Sequence, residues 1–93
     1  MKILQSNSFK KKVRRFSKQA KIILDTQVRK IVENPEIGQE KKGDLNGVFV
    51  FKFKIFTTQY LLSYRFVEDN LELIMIGPHE NYYRDLSVYL NKK

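Results

Sequence analysis

The second half of the chain shows the alternation of polar and apolar positions that β-strands produce. Three runs rich in β-branched and aromatic residues, residues 48–56, 59–67 and 70–76, are separated by only a few polar positions. Links this short make neighbouring strands antiparallel, because a parallel return needs a crossover of a dozen or more residues. The pattern predicts an antiparallel meander with turns at residues 57–58 and 68–70, whose last strand leads to His79.

The first third of the chain has a helical period instead. Apolar side chains recur at three- and four-residue spacing and predict one buried stripe: Phe9, Val13, Phe16, Ala20, Ile23, Leu24, Val28, Ile31 and Val32. Residues 6–8 offer N-cap candidates, and Ser17 can cap a second helix. We predict two helices broken near Ser17, because two short helices cover a small sheet better than one long helix.

The remaining segments complete the predicted architecture. Residues 2–5 form a short apolar strand, Pro35 ends the second helix, and residues 35–47 form a polar connector in which Lys41 and Lys42 are flexible and solvated. Residues from His79 to Leu90 read as a closing helix. The chain is therefore predicted to be one α+β domain, residues 1–93, with a helical hairpin packed on an antiparallel meander and a C-terminal helix.

Three cations fall on one predicted face of the sheet. Because strand side chains alternate sides, the aromatic rows of the first two meander strands lie opposite Lys52, Lys54 and Arg65. These are the only charged side chains in those two strands. We expect the aromatic rows to pack on the helices, which leaves an open cationic face with His79 at its rim. A solvated sheet surface would show the same pattern.

These residue types suit RNA cleavage without a metal. Lysine and arginine bind phosphates and stabilise charge that develops during phosphoryl transfer, and histidine exchanges protons near neutral pH. A base would deprotonate the ribose 2′-hydroxyl, that oxygen would attack the phosphate, and an acid would protonate the leaving oxygen. A lone histidine after a strand is more often structural, and Tyr83 is suited either to stacking on a base or to core packing.

The composition adds a strong charge signal. The 93 residues carry a net charge of +8 with a pI near 9.8, which attracts nucleic acid, an anionic membrane face or an acidic protein. One helix face is basic and either contacts phosphates or is merely solvated: Lys10, Lys11, Lys12, Arg14, Arg15, Lys18 and Lys21. With no cysteine and one histidine, we expect no metal, no cofactor and no disulfide. Without a membrane-length apolar run or a signal peptide, we expect a cytoplasmic protein.

Four motifs together resemble a known family. They are NPEIG at residues 34–38, FKFKI at residues 51–55, QYLLSYRF at residues 59–66 and IGPHENYYRDL at residues 76–86. Their order is similar to that of the RelE/ParE superfamily of toxins from bacterial type II toxin–antitoxin pairs, over nearly the whole chain. The resemblance implies cleavage of mRNA in the ribosomal A site. It also implies an acidic antitoxin partner and a toxin–antitoxin hetero-oligomer.

The resemblance also implies roles for individual residues. Lys52 and Lys54 match the two catalytic lysines that RelE-type members carry in a Lys-x-Lys strand. His79 matches a histidine that acts in proton transfer in YafQ-like members. Tyr83 follows His79 by four residues, which is the spacing at which those members carry an aromatic residue after the histidine. We therefore expect these four side chains to form the catalytic site.

Departures from the family pattern leave other functions open. Leu61 stands where RelE-type members have a phosphate-binding arginine, and Arg65 lies on the same face four residues further along. We expect Arg65 to serve as an auxiliary catalytic cation and Lys41, Lys42 and Arg84 to bind RNA. Members of the ParE branch share the fold, lack the nuclease residues and inhibit DNA gyrase. That activity is one alternative, and a catalytically decayed RNA-binding protein is another.

Overall fold

The computed structural model describes residues 1–43, 47–80 and 82–91. In chain order its elements are β1 (Ile3–Gln5), α1 (Asn7–Arg14), α2 (Lys18–Glu33), β2 (Gln39–Glu40), β3 (Phe49–Ile55), β4 (Thr58–Val67), β5 (Asn70–Pro78) and α3 (Tyr82–Leu90). The strands form one sheet in the order β1-β5-β4-β3-β2, in which only the β1–β5 pair is parallel. The predicted α+β class is confirmed.

The helical hairpin breaks where the sequence predicts. The hydroxyl of Ser6 accepts a hydrogen bond from the Phe9 backbone N–H and begins α1, and the hydroxyl of Ser17 accepts one from the Ala20 N–H and begins α2. Each serine satisfies a backbone donor that the first turn of a helix leaves free. Within the described ranges no helix is long and apolar enough to cross a membrane.

The meander is confirmed, but its turns differ from the prediction. Ile55 pairs with Thr58, and Val67 pairs with Asn70, so each hairpin has a two-residue loop. The first loop is residues 56–57 rather than 57–58, and the second is residues 68–69 rather than 68–70. Loops of two residues need positive φ angles to match the twist of the strands, and Phe56 has a φ of 56°. The prediction was wrong here because phenylalanine is not a typical turn residue.

The predicted polar connector contains a short strand. In β2, Gln39 pairs with Val50 and Glu40 pairs with Phe49, which extends the sheet beyond β3. The turn before it is held by the Tyr64 hydroxyl, which donates to the Pro35 carbonyl (2.7 Å) and accepts from the Gly38 N–H (3.0 Å). Residues 44–46 of the connector, and Asn81 in the predicted closing helix, lie outside the described residues.

Both faces of the sheet are buried. One face packs on the helical hairpin through a cluster that includes Phe9, Leu24, Ile31, Leu62 and Tyr64. The other face packs on α3 through a second cluster: Val48, Val50, Leu61, Ile74, Tyr82 and Leu86. The prediction of an open cationic face is therefore wrong over most of that face, because α3 covers it. Only the end of the face beyond the first turn of α3 stays uncovered.

A β-bulge interrupts the pairing of β4 with β5. Ser63 pairs with Met75, but its neighbour Tyr64 pairs with Leu73, so Ile74 is an extra residue in β5. Ser6 closes this irregularity, because its backbone N–H donates to the Leu73 carbonyl (3.0 Å) and its hydroxyl donates to the Ile74 carbonyl. The residue that begins α1 thus also binds two successive carbonyl groups of β5 at the bulge.

Tyr82 fastens the first turn of α3 to the sheet. Its hydroxyl donates to the Met75 carbonyl (2.6 Å) and lies 2.8 Å from the Ser63 hydroxyl oxygen. Burial raises the pKa of Tyr82 far above that of an exposed tyrosine, because the phenolate would be desolvated. The position of α3 therefore depends on a tyrosine that keeps its proton.

The double role of Ser6 predicts a difference between the two helix caps. Ser17→Ala removes a cap only, and should lower the free energy of unfolding by about 1 kcal/mol. Ser6→Ala also leaves the buried Ile74 carbonyl without its donor, which costs about 1–3 kcal/mol more. Denaturant unfolding of both variants measures the difference. Equal losses would show that the bulge does not need Ser6.

Tyr82→Phe should change how stability depends on pH. Below a pH of about 10 the phenol keeps its proton in both states. Above that pH the unfolded chain releases the proton while the folded chain retains it, so the parent loses stability as pH rises. The variant should be less stable by about 1 kcal/mol at neutral pH because it lacks the hydroxyl, and this deficit should shrink in alkaline solution. Urea unfolding from about pH 7 to 11 tests this; a constant deficit would refute it.

Candidate active site

The bulge in β5 decides which face His79 joins. Leu73 and Ile76 belong to the cluster under the helical hairpin, whereas Ile74 and Met75 both lie on the α3 side. Two successive residues on one side shift the alternation by one position. Gly77 consequently faces α3, where a Cβ would meet the Tyr82 ring at 3.6 Å. His79 follows the end of β5, and its contact with the Tyr83 ring puts it on the α3 side, where the lysines of β3 also lie.

The strand register brings His79 and the two lysines to one end of that face. Lys52 pairs with Leu61, and Leu61 pairs with Gly77, so these residues form one row across three strands. Two strand spacings separate the ends of the row, roughly 10 Å between Cα atoms. Lys54 lies two residues further along β3, level with the end of β5 where His79 follows. All three predicted side chains, Lys52, Lys54 and His79, are exposed.

Tyr83 and Lys41 extend this group from the side of α3. The Tyr83 ring meets the His79 ring edge to face, with 6.3 Å between centroids. The Lys41 ammonium nitrogen lies 4.9 Å from the centroid of the Tyr83 ring, within the range of a cation–π contact. The Tyr83 ring therefore lies between the Lys41 ammonium and the His79 imidazole. The ring is half-buried, so it is neither part of the core nor fully exposed.

The position of Lys41, a predicted RNA-binding residue, corrects the expectation that its side chain is flexible and solvated, and its contact with Tyr83 was not predicted. Its backbone N–H donates to the Val48 carbonyl (2.8 Å), and the side chain is half-buried, so it is not freely solvated. Lys42, the next residue, is exposed as predicted. The chain carries no sequence signal that separates these two lysines. The difference arises from β2, whose pairing aims Lys41 toward α3.

Arg65 is on the predicted face but not near His79. It lies four residues beyond Leu61 along β4, toward the hairpin of residues 68–69, and its Nε atom is 2.6 Å from a Glu72 carboxylate oxygen. Leu61, where the resemblance leads one to expect an arginine, is fully buried under α3. The structure therefore does not bring Arg65 together with the lysines and the histidine.

Other basic residues lie outside this group. Arg84 is exposed on α3, with its Nε atom 3.9 Å from an Asp85 carboxylate oxygen. On α1, an open depression of about 640 Å³ is lined by basic side chains and Ser8: Lys11, Lys12, Arg14 and Arg15. No group of three or more potential metal ligands occurs among residues 1–43, 47–80 and 82–91. The arrangement can bind phosphates at several places and exchange protons at one.

Solved structures of a bacterial toxin share this fold. The intact E. coli RelBE toxin–antitoxin complex matches with a TM-score of 0.67 and 18% identity, covering 85% of this chain and 96% of that one. A free E. coli RelE mutant matches with a TM-score of 0.72 and 16% identity, covering 95% and 94%. The isolated E. coli RelE toxin matches with a TM-score of 0.65 and 17% identity, covering 95% and 97%. Identities this low establish the fold alone.

The family is established from the sequence. A comparison with curated proteins found no significant match. The family model described as the ParE-like toxin of type II bacterial toxin–antitoxin systems matches residues 3–87, nearly the whole chain. The resemblance to the RelE/ParE superfamily is confirmed, and the chain belongs to the ParE-like toxins of type II bacterial toxin–antitoxin systems.

Proposed function

We propose that this toxin is an endoribonuclease that cleaves mRNA on the ribosome and so inhibits translation. The observation that carries the proposal is the group of exposed side chains at one end of the sheet. Lys52 and Lys54 lie on the same face of β3. The chain's one histidine, His79, follows β5, which is separated from β3 by β4 alone. This end is the part of the face that α3 leaves uncovered, so a strand of RNA can reach all three side chains.

The proposed reaction needs no metal. The ribose 2′-hydroxyl loses a proton, its oxygen bonds to the adjacent phosphorus, and the bond from phosphorus to the 5′-oxygen breaks. The leaving 5′-oxygen receives a proton, so the products are a 2′,3′-cyclic phosphate and a 5′-hydroxyl. His79 carries one of the two proton transfers. The ammonium groups of Lys52 and Lys54 stabilise the charge that builds on the phosphoryl oxygens.

Lys41 suits the role of the third cation better than Arg65 does. Arg65 already forms an ion pair with Glu72, and its position along β4 lies away from His79. The Lys41 ammonium is instead one aromatic ring away from His79. In this proposal Tyr83 stacks on a base or orients the imidazole, while Lys42 and Arg84 make outer contacts with RNA phosphates.

The partners follow from charge and from the structural relatives. One of those relatives is the intact RelBE toxin–antitoxin complex. By analogy, we expect a cognate antitoxin to bind this toxin as a hetero-oligomer, and an acidic antitoxin complements the net charge of +8. The basic face of α1 is a second polyanion surface, which suits ribosomal RNA. These partners would place the toxin in the cytoplasm.

Inhibition of DNA gyrase without catalysis is the second candidate. Leu61 favours it, because a buried leucine replaces the phosphate-binding arginine of the nuclease branch. A cell-free system separates the two functions. Cleaved mRNA with normal supercoiling supports the nuclease, whereas intact mRNA with blocked supercoiling supports the gyrase inhibitor. If neither occurs, the chain is a decayed member.

His79→Ala should abolish cleavage without unfolding the protein. We expect the rate of mRNA cleavage to fall about 10²–10⁴-fold, which is the usual contribution of a general acid or base. The melting temperature should hardly change, because the side chain is exposed. Mapping of mRNA 5′ ends after induction, with a thermal melt of each purified variant, measures both effects.

The same experiment includes the lysines and a control. Lys52→Ala and Lys54→Ala should each reduce cleavage about 10²–10³-fold, as loss of one transition-state donor does. Lys30→Ala removes an exposed cation at the end of α2, and should leave cleavage unchanged. Full toxicity after replacement of His79 and both lysines would count against the nuclease proposal.

Lys41→Ala and Lys42→Ala form a matched pair of neighbouring charge deletions. If Lys41 is the third cation, its replacement should reduce the cleavage rate by at least about 10-fold, as expected for a desolvated charge contact to the phosphate. Lys42→Ala should have a smaller effect that added salt removes, because its side chain is exposed. Single-turnover cleavage on programmed ribosomes at two salt concentrations tests this. Equal effects of the two substitutions would exclude a special role for Lys41.

A further inference from the structure

Phe56 is an aromatic residue in an unfavourable position. It is the first residue of the two-residue loop between β3 and β4, its φ angle is 56°, and its side chain is 61% exposed. The left-handed region costs a residue with a Cβ atom free energy that glycine avoids. Hairpin loops of this length usually place glycine, asparagine or aspartate there.

Phe56 lies outside the packed core of the described residues. Phe56 belongs to neither buried cluster, and none of the aromatic pairs of the described residues includes its ring. The hairpin at the other end of β4 is a useful contrast. It has two residues with positive φ, Glu68 and Asp69, where the first hairpin has one, and both are polar, as is usual at an exposed turn. Only the hairpin beside the candidate active site carries a large apolar ring.

The position of Phe56 relates it to the candidate active site. It lies two residues beyond Lys54 along the chain, at the end of the sheet where β5 delivers His79. Two residues along a strand and two strand spacings across the sheet correspond to roughly 12 Å from His79 between Cα atoms. A short stretch of single-stranded RNA whose phosphate lies at the lysines and the histidine can therefore reach the ring.

We propose that Phe56 is a stacking platform for a nucleobase next to the scissile phosphate, held in place by the strained hairpin. This inference rests on the proposed nuclease function. Unpaired bases stack on exposed aromatic rings, and loss of one such stack weakens binding by about 10- to 100-fold. A ring on a two-residue loop is presented rigidly, so little conformational freedom is lost when a base binds.

Phe56→Asn separates the cost of the strain from the use of the ring. Asparagine tolerates positive φ, so the melting temperature should stay the same or rise by about 4 °C. The affinity for a single-stranded oligoribonucleotide with a 2′-deoxy sugar at the cleavage position should fall by about 10-fold or more. Phe56→Trp should retain the affinity, and Phe56→Leu, which keeps an apolar side chain without a π face, should not.

Glu68→Asn provides the matched control in the other hairpin. It places the same residue at a positive φ angle and removes no ring, so RNA affinity should not fall. Fluorescence anisotropy for binding, with thermal melts, measures all four variants. The inference is overturned if Phe56→Asn binds RNA as the parent does. It is also overturned if Phe56→Asn weakens only binding of a protein partner such as the antitoxin.

The binding measurement also distinguishes this inference from the proposed function. If the parent binds the oligonucleotide through Phe56 but cleaves no mRNA, the nuclease proposal fails and the stacking role stands. If the parent cleaves mRNA and neither cleavage nor affinity depends on Phe56, the stacking role fails and the nuclease proposal stands.

Discussion

Burial of β4 on both faces is the constraint that arranges the rest of this protein. Four consecutive residues at its centre, residues 61–64, are completely buried, two toward the helical hairpin and two toward α3. A charged side chain at such a position would need a buried partner, because desolvation of a charge is costly. The cations of the sheet are therefore confined to its ends and its edge. The chain has a net charge of +8, and Lys52 and Lys54 lie beyond the first turn of α3, near the end of β5.

The bulge at Ile74 is the second determinant, since it changes the face on which the end of β5 lies. Without the extra residue, Gly77 would alternate toward the helical hairpin. With it, Gly77 lies against the Tyr82 ring, and the end of β5 leads to His79 on the α3 side, where His79 meets the Tyr83 ring. Ser6, which begins α1, donates to the carbonyl groups of Leu73 and Ile74 at the bulge. The start of the first helix and the position of the imidazole are therefore parts of one structural solution.

Prediction from sequence succeeded where one local signal determines the structure. Ser17 marks the helix break because a serine cap satisfies a free backbone donor, and the alternate lysines of β3 mark one face because strand periodicity is strict. Prediction failed where the signal is not local. β5 is apolar on both sides apart from Glu72, so no polar alternation reveals the bulge. β2 has two polar residues and no periodicity, and it forms only because β3 offers a free edge. The packing of α3 on one face of the sheet depends on residues from β3, β4 and β5 together, so no single segment of the sequence predicts it.

The leucine at position 61 and the location of Lys41 are consistent consequences of the same packing. α3 needs an apolar surface beneath Tyr82 and Leu86, and Leu61 supplies it at the centre of the second cluster. An arginine at that position would have to displace α3 or bury its charge. Any third cation that the proposed reaction uses must therefore approach from outside the cluster, and the nearest edge of the sheet is β2. The hydrogen bond from the Lys41 backbone N–H to the Val48 carbonyl holds the lysine at that edge. The Lys41 ammonium contacts the Tyr83 ring, whose edge-to-face contact with His79 lies beyond it. A strand of two residues adds little to stability, but it sets where that positive charge lies.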